Sequence, residues 1–172
     1  MLIDRYDIEI FTPPCDPGAE RFAARARLIV DISEILPYLN ATLRGAVYLP
    51  TANALTWKKA GHNVAFHAYE IATSNVEDRD GAEKEIKSLI ELINHTWERR
   101  SEISPDVSTR QRPSSMDIYK LLPRINCKKC DDQTCFNFAL KLSTSQKDLS
   151  DCPPMAEDQY AEQRAFLDNI LI

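Results

Sequence analysis

The chain is 172 residues long, 44% hydrophobic and 27% charged, with a formal net charge of -5 at pH 7. That much apolar residue excludes a disordered chain, and the lack of any run of 18 apolar residues excludes a membrane-spanning helix. A pI near 5.3 with no Lys/Arg cluster argues against nucleic acid, whose backbone needs many cations together. The amino terminus MLIDRYDIEIF carries charge where a secretory leader is apolar, so a cytoplasmic protein is expected.

Residues 2–11 alternate Ile3, Tyr6, Ile8 and Ile10 with Asp4, Asp7 and Glu9, slipping phase once at Arg5; they predict a strand with one buried face. The turn 12–18 ends as helices begin, with Asp16 as N-cap and Pro17 in the first helical position. Phe22, Ala26, Ile29, Ile32, Ile35 and Leu36 then recur at helical spacing, so a helix is expected up to Pro37, which should kink or end it. Residues 46–57 and 63–73 are rich in β-branched, aromatic and small residues around the polar turn 58–63, and they read as a β-hairpin interrupted by Pro50. From Asp78 to Arg100, Ala82, Ile86, Leu89, Ile90, Ile93 and Trp97 fall on one helical face. Acids open this helix and arginines close it, as the helix dipole prefers.

Strand, helix, strand, strand, helix is most of a split βαβ, ferredoxin-like sandwich, so the fold class expected is α+β for residues 1–100. Residues 101–115 hold eight Ser, Thr or Pro in fifteen and read as a linker. Residues 116–172 then form a small, mostly helical module. Ser114 or Ser115 caps a short helix that Pro123 stops, and a last helix starts near Pro154. A unit this small often needs a metal to hold its fold.

Four of the five cysteines lie in that module, spaced C-x2-C-x4-C-x16-C at Cys127, Cys130, Cys135 and Cys152. An even, spread set would suit a secreted disulfide scaffold; this crowding suits a metal site, and thiolates are soft ligands for iron–sulfur clusters and for zinc. Structural zinc generally uses two close pairs, and a knuckle would want His where Cys135 stands and a ligand where Leu140 stands. Three bunched thiols with a remote fourth followed by Pro153 favour a Fe4S4 cluster over zinc or unligated thiols. The helix expected after Cys135 would turn its first N–H groups toward cluster sulfides. Asp131, Asp132 and Asp151 would lower the reduction potential and Lys128 and Lys129 would raise it.

The run IYKLLPRINCKKCDDQTCFNFALKLSTSQKDLSDCPPM, residues 118–155, resembles the four-cysteine Fe4S4 domain that opens the large subunit of the corrinoid/iron–sulfur protein of the acetyl-CoA pathway. Similar domains occur in other anaerobic electron-transfer proteins, including the Rnf B subunit. The shared features are a Leu-Pro lead-in, C-x2-C-x4-C, a Phe-Ala-x-x-Leu helix and a terminal Cys-Pro. The resemblance implies Cys127, Cys130, Cys135 and Cys152 as cluster ligands, and low-potential electrons passed to a corrinoid protein. Where that family has Gly and then Pro, this chain has Asp131 and Gln133, and no glycine follows Gly81. Asp tolerates a left-handed backbone better than most residues. No cobalamin-binding Asp-x-His-x-x-Gly surrounds His62, His67 or His95.

Other residues read as ordinary. Cys15 is a packed or idle thiol rather than a ligand. His62 and His67, five apart, face opposite sides of a strand, and Trp57 and Trp97 belong to a core. Lys128 and Lys129 are solvated or dock an acidic redox partner. No G-x-S-x-G and no glycine-rich phosphate loop is present. The expectation is thus an electron carrier or accessory protein with a protein redox partner, its amino-terminal domain selecting that partner or forming a homodimer. The alternative is a binding, assembly or regulatory protein in which iron–sulfur or zinc only staples the fold.

Overall fold

The computed structural model describes residues 1–13 and 21–171. The turn with Asp16 and Pro17, and Cys15 within it, lie outside the described residues. The chain divides into two compact units, one of Met1–Trp57 with His62–Arg110 and one of Lys58–Gly61 with Gln111–Ile172.

Among the described residues the protein is mixed α and β, with a six-stranded antiparallel sheet and five α-helices. The strands are β1 (Tyr6–Phe11), β2 (Phe22–Leu28), β3 (Val47–Leu49), β4 (Ala54–Lys59), β5 (His62–His67) and β6 (Glu70–Val76), in the order β1-β2-β6-β5-β4-β3. The helices are α1 (Leu36–Thr42), α2 (Arg79–Glu98), α3 (Ser115–Leu121), α4 (Cys135–Ser143) and α5 (Ala161–Ile170).

The helix expected from Phe22 to Pro37 is a strand in its first half. Ala24, Ala26 and Leu28 are buried and Arg27 is exposed, so the period is two, muted because alanine offers little contrast. Pairing with β1 on one side and β6 on the other satisfies the backbone of β2, and Ile29, assigned to the helix face, is 72% exposed. Pro37 opens a helix instead of closing one, since it sits in the first turn of α1, where its missing N–H costs nothing. Among the described residues the element order is therefore strand, strand, helix, four strands, helix. It differs from the split βαβ order because Phe22–Leu28, expected as helix, is the strand β2. Each arm of the expected hairpin is itself two strands: Pro50–Ala52 and the left-handed Asn53 break the first, and Ala68 with Tyr69 breaks the second. The turn between β4 and β5 is Ala60 and Gly61, both at positive φ, as two-residue hairpin loops require.

Antiparallel register aligns Ile8, Ala26, Ile71 and Phe66 across four strands on one face. Against this face α2 buries Ala82, Ile86, Leu89, Ile90 and Ile93, the stripe its sequence predicts, and Asp78 caps the helix by accepting the Gly81 N–H at 2.6 Å. The opposite face is polar: Glu9 lies across from Arg25 and accepts its guanidinium at 2.8 Å. Trp57 donates to the Arg44 carbonyl and Trp97 stacks under Arg100, both packed against this core. Residues 103–114 form no helix or strand, yet Asn40 donates to the carbonyls of Asp106 and Ser108, fastening the first part of the expected linker to its unit.

The burial pattern separates two substitutions that a helical reading would equate. Leu89→Ala should lower the free energy of urea unfolding by about 2–5 kcal/mol, and Ile29→Ala by less than about 0.5 kcal/mol.

Candidate metal centre

The centre begins where Pro123 ends α3. The loop that follows is left-handed at Arg124, Asn126, Lys128 and Asp131, with φ of 59°, 48°, 60° and 62°, in a stretch without glycine. Asn and Asp reach this region at modest cost; Arg and Lys need the surroundings to hold them there. The holding is visible. The Asn126 carboxamide oxygen accepts the Cys135 N–H at 2.8 Å, the Asp131 N–H returns to the Lys128 carbonyl at 3.1 Å, and the Lys147 ammonium donates to the Cys130 carbonyl. Asp131 thus stands in the left-handed conformation that Asp tolerates better than most residues.

Cys135 is the first residue of α4, whose N-cap Thr134 accepts the Asn137 N–H at 3.1 Å. The first-turn N–H groups were expected to face a cluster; two of them instead go to Asn126 and Thr134, and the Phe136 N–H alone of positions 135–137 has no partner among the described residues. The fourth cysteine follows a single helical turn, Leu149–Asp151, fixed by the Asp148 N–H donating to the Asp151 carboxylate at 2.9 Å.

Cys130, Cys135 and Cys152 are 8%, 7% and 6% exposed, and Cys127 is half-buried. The three buried thiols share one core with Ile118, Leu122, Phe138, Ala139, Leu142 and Met155. Burial first, and then the neighbouring Cys130, Cys135 and Cys127, push the Cys152 thiol up to about 11, against a hydrogen bond from the Met155 N–H. Seventeen positions after Cys135 in the sequence, Cys152 is therefore within electrostatic reach of all three other thiols. Among the described residues no three His, Cys, Asp or Glu side chains close on one point that would hold a single ion. Left to itself Cys152 keeps its proton at neutral pH, and a soft cation that binds there must displace it.

Asp132 is the residue that sequence reasoning misjudged. It is 3% exposed and paired with Lys141 and, at 3.2 Å, with Lys147. Burial would raise its pKa, but hydrogen bonds and charge from the two lysines outweigh that and hold it below the ordinary carboxylate range. Asp132 is thus a neutralised member of a buried ion network, not a free negative charge. The cations near it are Lys141 and Lys147, whereas Lys128 and Lys129 are exposed. Neither lysine was legible as a partner, because separations of nine and fifteen residues match no helical or strand period. Of the other residues weighed from sequence, His62 has its Nδ1 3.0 Å from the Asn75 carbonyl oxygen, and His67 is exposed at the end of β5.

Comparison with known proteins falls on this segment. A family described as "Putative Fe-S cluster" matches residues 122–154. Over 58 residues, 34% of this chain, it is 41% identical to the acetyl-CoA decarbonylase/synthase complex subunit gamma of Methanothermobacter thermautotrophicus, covering 12% of that protein. Over 59 residues, again 34%, it is 44% identical to subunit gamma 1 of Methanosarcina thermophila, covering 13% of it. The Methanocaldococcus jannaschii subunit gamma is 41% identical over 51 residues, 30% of this chain and 10% of the relative. The likeness thus spans about an eighth of the relatives' length. No solved structure matches the chain. Residues 122–154 are thus similar to a family described by an iron–sulfur cluster.

Two substitutions test how the loop is held. Asp132→Asn strands both lysines and should cost roughly 2–4 kcal/mol in anaerobic urea unfolding, less than a fully buried pair because Lys141 is 41% exposed. Asp131→Gly relieves the left-handed strain and should raise stability by up to about 1 kcal/mol.

Proposed function

We propose that Cys127, Cys130, Cys135 and Cys152 hold a Fe4S4 cluster and that the protein is a low-potential electron carrier, donating to a corrinoid protein in a methyl-transfer system. The observation that carries this reading is the shared burial of Cys130, Cys135 and Cys152 in one core, with the Cys152 thiol within electrostatic reach of the other three, inside a segment similar to a family described as "Putative Fe-S cluster". A single tetrahedral zinc draws its sulfurs to about 2.3 Å from one point, whereas a cluster carries its ligands on separate irons. The donor set fits the larger group: four thiols, no competing carboxylate because Asp132 is occupied by lysines, and an apolar wall of Phe138, Leu142 and Met155.

When bound, such a cluster accepts and releases one electron at a time. The protein's own residues set how readily. The Met155 N–H bonded to Cys152 and the unpartnered Phe136 N–H favour the more negative state, while the surrounding apolar side chains, by excluding water, disfavour it. The corrinoid partner comes from the resemblance and from relatives that are subunits of acetyl-CoA decarbonylase/synthase complexes. In this reading residues 1–100 select the partner or form a homodimer, and residues 116–172 are the cytoplasmic electron-carrying module beyond the 101–115 linker.

One observation favours a second reading. Three of the thiols belong to the core of the second unit, so a metal there also staples the fold. Anaerobic purification with iron, sulfide and zinc analysis, followed by EPR after strong reduction, separates the readings. The carrier role predicts iron and sulfide in equal amounts, a reversible EPR signal, and reduction of a Co(II) corrinoid protein by the reduced sample. Cys152→Ser should lose most of the iron. A redox-silent centre whose removal melts residues 116–172 would leave only the structural role.

A further inference from the structure

Electron transfer between proteins falls steeply with distance, so it matters which ligand lies nearest the surface. Three of the four thiols are no more than 8% exposed, while Cys127 is half-buried. The residues around it, Arg124, Ile125, Asn126, Lys128 and Lys129, are all exposed, and Ile125 is 57% exposed, unusual for an isoleucine. Two residues along the chain from Lys129, Asp131 is exposed too, so the stretch holds three cations and one anion.

These cations differ from the lysines of the helices and loops that follow and precede them in residues 111–172. Lys120, Lys141 and Lys147 are each paired with an aspartate. Among the described residues no ion pair or hydrogen bond occupies the side chains of Arg124, Lys128 or Lys129. The backbone that carries them is held in place: Arg124, Asn126 and Lys128 are left-handed, and Asn126 is fastened to the Cys135 N–H. A chain of net charge -5 therefore reverses sign locally, with a fixed, unpaired cationic rim and one exposed apolar residue around the outermost thiol. An apolar contact within a charged rim is how transient protein partners recognise each other, and opposite charge speeds their encounter.

We infer that loop 124–129 is the docking surface for an acidic protein partner, which it seats over Cys127 so that the electron leaves by that ligand. The inference rests on the proposed cluster and names the chemistry of its partner.

The test compares the wild-type full chain with the Arg124→Asn/Lys128→Asn/Lys129→Gln variant, whose asparagines tolerate the left-handed backbone. Each is loaded anaerobically, reduced, and mixed in stopped flow with hexacyanoferrate(III) or hexaamminecobalt(III). Either oxidant takes one electron, leaving hexacyanoferrate(II) or cobalt(II) and the oxidised protein. Steering by the loop predicts that the variant reacts at least about ten-fold more slowly with the anionic oxidant at low salt, and no more slowly with the cationic one. It also predicts that the wild-type rate with the anion falls as salt rises. Equal slowing with both oxidants, or no change with either, overturns the proposal.

A second readout needs no electron transfer. Amide NMR shifts on adding polyglutamate should centre on residues 124–129 in the full chain, with binding weakened at least about ten-fold in the variant. Shifts centred elsewhere overturn the surface. A chain that takes up no iron and sulfide overturns the proposed function, and the polyglutamate map then still judges the surface alone.

Discussion

The second unit depends on keeping thiol sulfur inside a small core. Cys130, Cys135 and Cys152 occupy places that aliphatic side chains would otherwise fill, alongside Phe138, Leu142 and Leu167. A neutral thiol tolerates such a site, and the high pKa of Cys152 is the measure of that tolerance. A thiolate does not tolerate it unless something positive sits among the sulfurs. The same burial that keeps the metal-free Cys152 thiol protonated would exclude water from a cluster and hold its ligands. In this account burial, pKa and metal binding are one constraint seen from three sides.

Charge around the centre follows from that constraint. A buried carboxylate beside thiolates would add repulsion, and Asp132 escapes this through Lys141 and Lys147, the second of which also fastens the Cys130 carbonyl. Two first-turn N–H groups of α4 serve the loop and the cap rather than the sulfurs. The local field is therefore set by side-chain pairing as much as by the helix dipole.

How much of this was legible depended on whether the determining signal was local. The α2 stripe, the Ser114 cap and the tolerance of Asp131 for a left-handed backbone are local properties, and the structure agrees with each. Strand β2 was not legible as a strand, because Ala-Arg alternation gives weak contrast and Ile29, Ile32 and Ile35 imitate a helix face. Its two neighbouring strands outweigh that preference, and one of them lies more than forty residues away in the sequence. The partners of Asp132 and the tie from Asn40 to Asp106 were hidden for the same reason: they are long-range, and composition alone marked their segments as loop and linker.

The claim that four sulfurs share one polynuclear centre is tested most directly by X-ray absorption at the iron edge on anaerobically prepared protein. The account predicts a first shell of sulfur alone and a second shell of iron neighbours, both lost together in Cys152→Ser. Nitrogen or oxygen ligands at the iron, or sulfur bound to solitary zinc at the zinc edge, would contradict it.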